Sequence, residues 1–220
     1  MLRRWTPTLG SICTLATLLA PPAWCELPDN RISNGEFDLG LDGWTELFPT
    51  VSSFLYISYE DANGCSLSGA AEAGNSNPTD SGSTSYRICT TEFTEGVPYT
   101  LYARFLFHPT LVESRAQLSL GAYDSANCSG SATQAFVTNY AMTSDGFNTW
   151  HYRKLAAPVT PTESTQSLQV QLTFIKDVGA DTVAYVLFDR VHLVPADWIY
   201  AEDFELGELC RWSAISNPAP

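Results

Sequence analysis

The sequence predicts an all-β protein, a sandwich of two antiparallel sheets, and three observations carry that prediction. Apolar residues recur with period two, short periodic runs are separated by Gly, Ser, Asn and Pro clusters, and no segment holds an apolar stripe at helical spacing. About 195 residues follow the first 25, enough for one sizeable core in a single domain.

The strands can be taken in order. Residues 51–59 and 84–93 gather β-branched and aromatic side chains. In PYTLYARFLFH (98–108), Leu101, Ala103, Phe105 and Phe107 share one face while Tyr102, Arg104 and His108 share the other, as a half-buried strand requires. RAQLSLGAY (115–123) sets Leu118, Leu120 and Ala122 against Gln117, Ser119 and Tyr123. After strands at 134–141 and 149–156, SLQVQLTF (167–174) sets Leu168, Val170, Leu172 and Phe174 against Gln169, Gln171 and Thr173. A last strand falls at 182–194. EDANGCSLSG, AGNSNPTDSGS, DSANCSGS and APVTPTEST are turn-rich connections, and residues 72–93 are expected to hold the longest polar loop.

The ends differ from this middle. Arg3 and Arg4, an apolar run from Leu9 to Ala20, then Pro21 and Pro22 give residues 1–25 the order of a secretory signal, with a run too short to span a bilayer. The expected layout is a signal segment over 1–25, a β-sandwich over 26–194 and an acidic, aromatic tail over 195–220. Within that tail DFELGELCRWS (203–213) repeats EFDLGLDGWT (36–45), and a docked tail or the start of a truncated module both account for it. With 24 acidic and 11 basic residues the formal net charge is −13, which excludes nucleic acid and anionic membranes as natural partners. Export also favours disulfides among Cys65, Cys89, Cys128 and Cys210. Three pairings are open, and Cys89 with Cys128, leaving Cys65 with Cys210, is preferred.

RISNGEFDLGLDGWT (31–45), the loop EDANGCSLSGA, the strand EGVPYTLYARF and the closing strand YVLFDRVHL occur in the order found in a known family. Together they resemble carbohydrate-binding modules of the cellulase C type (families 4 and 9), over residues 31–194. The resemblance implies a galactose-binding-like jelly roll, a secreted protein that binds a polysaccharide or surface glycan without catalysis, and a structural calcium ion. That ion would be held by Glu36 or Asp38 of the opening motif and Asp189 of the closing strand, with carbonyls near Asn34 and with Asp61. The competing reading caps the first turn with Glu36 and Asp38 and pairs Asp189 with Arg190 or another base. The chain departs from the family at Arg190, where a second acid is common, and at Cys65 and Cys210.

Sugar recognition needs aromatic faces with amides, carboxylates or Arg beside them. Tyr102, Arg104 and His108 on one polar strand face, Gln117 and Tyr123 on another, and His151 and Arg153 on one face of TWHYRKL are the candidates, while Trp44 and Trp150 read as packing residues. A structural or adhesive protein on the same fold is the second reading. Catalysis has little support. No paired-carboxylate motif or GxSxG elbow is present, and alternation puts His151 and Arg153 of HYRK opposite Tyr152, so a lyase trio cannot converge there.

Overall fold

A computed structural model describes residues 30–47, 53–62, 69–76, 82–109, 113–177 and 183–197. Their strands are β1 (Thr45–Leu47), β2 (Ser53–Ser58), β3 (Ala70–Asn75), β4 (Gly82–Thr90), β5 (Tyr99–Phe107), β6 (Ser114–Tyr123), β7 (Ala132–Met142), β8 (Trp150–Lys154), β9 (Ser167–Lys176) and β10 (Ala184–Pro195). They form two five-stranded antiparallel sheets, ordered β1-β4-β9-β6-β7 and β2-β3-β10-β5-β8. These are called the first and second sheets below. The expected two-sheet sandwich is the observed one.

Alternation decides which side chains meet between the sheets. Leu101, Ala103, Phe105 and Phe107 of β5 face Leu118 and Leu120 of β6 and Leu168, Val170, Leu172 and Phe174 of β9 in one core. Burying side chains of this size stabilises by roughly 1.5–3 kcal/mol each. Phe105 and Phe188 pack edge to face across β5 and β10, with centroids 5.4 Å apart.

Within the expected loop over residues 72–93, residues 72–75 belong to β3 and 82–90 to β4, the latter where a strand over 84–93 was also expected. β3 reads AAEAGN, a poor strand sequence by propensity, yet Ala70, Ala71 and Ala73 are fully buried between β2 and β10. Small side chains are needed where the Tyr86 ring crosses the interior to donate its hydroxyl to the Glu72 carbonyl (2.8 Å). Burial, first, and the charges of Glu72 and Glu46 push the Tyr86 phenol far above its ordinary range, so it is a permanent donor.

The opening motif is stitched along β10. The amide of Arg31 donates to the Leu193 carbonyl (2.8 Å) and that of Val191 to the Gly35 carbonyl (2.9 Å). A Cβ on Gly35 would lie 2.1 Å from the Val191 carbonyl oxygen, so this contact admits only glycine. Asn34, at φ 55°, ties the turn by donating to the carbonyls of Gly40 and Asp42 and accepting from the Leu39 amide. Trp44 donates to the Asn34 carbonyl (3.1 Å), and its ring packs against Phe37, both buried as expected of anchoring aromatics.

Cys89 and Cys128 form a disulfide, fastening the loop after β6 to β4. Cys65, Cys210, residues 1–29 and the repeated motif at 203–213 lie outside the described residues.

Candidate functional site

Tyr102 and Arg104 of β5, and His108 just after it, lie on the outward face of the second sheet, but that face is largely covered. Tyr102 is only 3 % exposed, packed against the Tyr152 ring (centroids 5.6 Å apart) with the Lys154 ammonium 5.2 Å from its own centroid. Arg104 reaches the Ala62 carbonyl (3.4 Å). His108 stacks on Tyr185 at 4.4 Å and lies 3.3 Å from a Glu60 carboxylate oxygen. Tyr123 belongs to β6 in the first sheet. Tyr102, Arg104, His108 and Tyr123 therefore do not form one site.

Beside Arg104 lies a buried charge cluster built by a bulge. The β10–β5 register slips between Asp189 and His192, and Arg190 takes φ 52° there, an expensive conformation for a side chain of its size. The extra residue keeps Val191 in the core and leaves Asp189, Arg190 and His192 outside it, all nearly inaccessible. Glu36 from the opening motif contacts the His192 ring nitrogen, with Arg190 Nε 3.7 Å away. Burial alone would raise the Glu36 pKa, but the hydrogen bond and charge of His192, with Arg190 and Arg104, hold it below the usual range. Asp189 accepts from the amides of Ala62 (2.8 Å) and Arg190 (2.7 Å), yet burial and the neighbouring Glu36 charge push its pKa well up, with Asp61 adding to the effect.

The structure thus sets Glu36 and Asp61 within electrostatic range of Asp189, while Asp38 is not among the main charges acting on Glu36 or Asp189. Among the described residues no three His, Cys, Asp or Glu side chains converge as a metal cage. An ion fits this place only through Asp189, with Glu36 beside it and carbonyls or water supplying the remaining oxygens, a mixture calcium accepts.

The outward face of the first sheet differs. Across its middle rung Thr45, Arg87, Gln171, Ser119 and Thr138 stand in register, and the next rung carries Ser85, Thr173, Gln117 and Tyr140. Ser85, Ser119 and Thr173 are buried as a floor between longer neighbours. The amide of Gln171 donates to Thr173 (3.1 Å) and Ser85 (3.4 Å), and that of Gln117 to Ser119 (2.9 Å). Their carbonyl oxygens have no protein partner among the described residues. At one end Tyr123 donates to Gln169 (3.2 Å) and meets Phe136 edge to face at 6.1 Å. The Phe136 ring lies over Gly121, where a Cβ would come within 3.0 Å of it. Glycine here lets an aromatic ring lie down on the sheet. Amides, hydroxyls and rings in one strip can hold sugar hydroxyls and stack on C–H faces.

Of this strip, sequence reasoning singled out only Gln117 and Tyr123. The available signal was the residue type opposite the apolar positions of β6 and β9, which is Gln, Ser and Thr rather than the Lys and Glu of ordinary solvated strands. In β8, His151 lies by the Gly146 carbonyl (3.2 Å) and Arg153 bonds Asp145 (2.5 Å), whereas Tyr152 turns to Tyr102, so the HYRK side chains diverge as alternation requires.

No protein-family model matches the sequence, and neither does any characterised protein. The fold, however, is that of β-sandwich carbohydrate-binding modules. It resembles the module TmCBM61 solved in complex with β-1,4-galactotriose (TM-score 0.53, 11% identity, covering 76% of this chain and 98% of that one). It also resembles a xylan-binding domain of family 22 (TM-score 0.52, 12% identity, 79% and 99%). The enzymatically active domain of tailspike protein 4 from bacteriophage CBA120 shares the fold too (TM-score 0.55, 14% identity, 76% of this chain), although this chain spans only 21% of it.

Proposed function

We propose that this chain is an exported, non-catalytic glycan-binding protein whose binding face is the outward strip of the first sheet. The observation that carries the reading is the strip itself, where Gln117 and Gln171 hold their amide groups against buried hydroxyls and keep their carbonyl oxygens free beside Tyr123 and Phe136. Neighbours of the same fold that bind galactotriose or xylan support it. Retention on insoluble cellulose, xylan, chitin and β-glucan tests it, with Gln171→Ala and Phe136→Ala as controls. No retention by any polymer leaves the structural or adhesive reading in its place.

A calcium ion held by Asp189 beside Glu36, fastening the opening segment to β10, is part of the proposal. It is supported by a fully buried carboxylate whose ionisation is opposed by burial and by Glu36.

A further inference from the structure

Three of the six arginines among the described residues stand beside acids. Arg115 pairs with Asp177 (3.0 Å), Arg153 with Asp145 (2.5 Å) and Arg190 lies 3.7 Å from Glu36. Arg87 is different. It stands on the middle rung of the polar strip, between Thr45 and Gln171, and its Nε donates to the Thr45 hydroxyl (3.3 Å). Among the described residues no carboxylate lies within ion-pair distance of it, in a chain with 24 acids to 11 bases. Among the described residues the two terminal nitrogens of its guanidinium have no hydrogen-bond partner. Its charge reaches the far end of that strip, where it acts against burial on the Tyr123 phenol. The side chains that share the strip are Ser85, Gln117, Ser119, Thr138, Tyr140, Gln169, Gln171 and Thr173, none of them acidic.

A planar guanidinium with both terminal nitrogens free matches a carboxylate bidentately, which neutral hydroxyls do not need. We infer that the glycan is a carboxylated one, with a uronate group seated on Arg87 while its neutral sugars lie along Gln171, Gln117 and Phe136. The whole-chain charge narrows the class. A continuous polyuronate would meet the −13 formal charge of the protein at every sugar, whereas a mostly neutral backbone with isolated uronates presents one carboxylate to one guanidinium. The inference rests on the glycan-binding reading above and names its ligand class.

The test compares glucuronoxylan, the same polymer with its carboxyl groups reduced to alcohols, and polygalacturonate, by affinity electrophoresis and calorimetry at low and high salt. Glucuronoxylan should bind about fivefold more tightly than its reduced form at low salt, a ratio that shrinks as salt screens the pair. Arg87→Gln should bring the ratio to one and Arg87→Lys should leave it intermediate, since the charge stays and the fork is lost. Equal binding of the native and reduced polymers, or an unchanged ratio in Arg87→Gln, overturns the inference and leaves glycan binding standing. Tightest binding to polygalacturonate overturns the preference for sparse carboxylates. Failure of both xylans to bind, with retention on another polymer of the insoluble panel, overturns the inference alone; failure of every polymer overturns the glycan reading with it. Thermal melts of both variants should match the wild type, because Arg87 is partly exposed and holds only Thr45.

Discussion

The two outward faces of this sandwich start from the same pattern and end as opposites. On both, every second residue of a strand points away from the core. The first sheet turns out amides, hydroxyls and aromatic edges that bond one another at modest distances and keep acceptors to spare. The second turns out Tyr102, Asp189, Arg190 and His192, then buries them under the opening segment, residues 61–62 and the Tyr152 ring. A polar residue opposite the core is therefore not yet a solvated one. What decides is whether another piece of chain comes to lie on it, and the charged face is the one that was covered.

The largest effect expected from breaking this contrast is on stability. Tyr102→Ala removes a nearly inaccessible ring from the covered face and should cost about 3 kcal/mol, read as a lower denaturant midpoint. The folded fraction should keep its glycan affinity, because Tyr102 lies on the other sheet from the strip. Loss of affinity without loss of stability would reverse the assignment of the two faces.

The proposed calcium ion would address the same covered face. At a hundred times its dissociation constant an ion bound only by the folded state adds about 2.7 kcal/mol. Melting in calcium should thus exceed melting in chelator for the wild type, and Asp189→Asn should show no such difference. A wild-type melt indifferent to chelator would mean that Arg190, Arg104 and His192 balance the acids without an ion.

On the open face the expectation is inverted. Phe136→Ala should weaken glycan binding about tenfold, some 1.4 kcal/mol, while the melt moves little because the ring is only half buried over Gly121. Titration of the folded variant by calorimetry checks both halves.

How much of this was legible beforehand differs between the faces for a physical reason. β5, β6 and β9 were readable because apolar residues alternate with polar ones along them, whereas the Cys89–Cys128 disulfide was the preferred one of three open pairings, which no sequence feature decided. β3 was not, since an alanine- and glycine-rich strand carries no propensity and owes its existence to burial between β2 and β10. The opening motif read well, with Asn34, Gly35, Phe37 and Trp44 each fixed by a specific contact. The site did not. Tyr102, Arg104 and His108 look like a recognition strip until Tyr152 and the opening segment are laid over them, and that pairing spans dozens of residues of sequence. The bulge at Arg190 leaves no local signature either, because it is defined by a mismatch with β5.

The smallest effect compares a buried ion pair with an exposed one. Asp145 holds Arg153 and accepts from the Met142 amide (2.8 Å) near the chain's short 3-10 turn, with both ion partners substantially open to water. Burial is the largest single influence and opposes ionisation, but the Met142 amide and Arg153 together outweigh it and lower the Asp145 pKa. A depressed carboxylate stabilises the fold above its unfolded pKa, near 3.9, and that contribution fades as pH falls through the folded value. Screening by solvent keeps it to about 0.5 kcal/mol or less. Asp145→Asn should accordingly lower the midpoint slightly at pH 7, with the difference vanishing in high salt and again in acid, once pH falls below the lowered folded pKa. Glu36, held by His192 under the opening segment, should resist the same salt, since its partners are shielded from the ions that screen Asp145. A salt response of equal size after Glu36→Gln and Asp145→Asn would mean that the covered face is open to water after all.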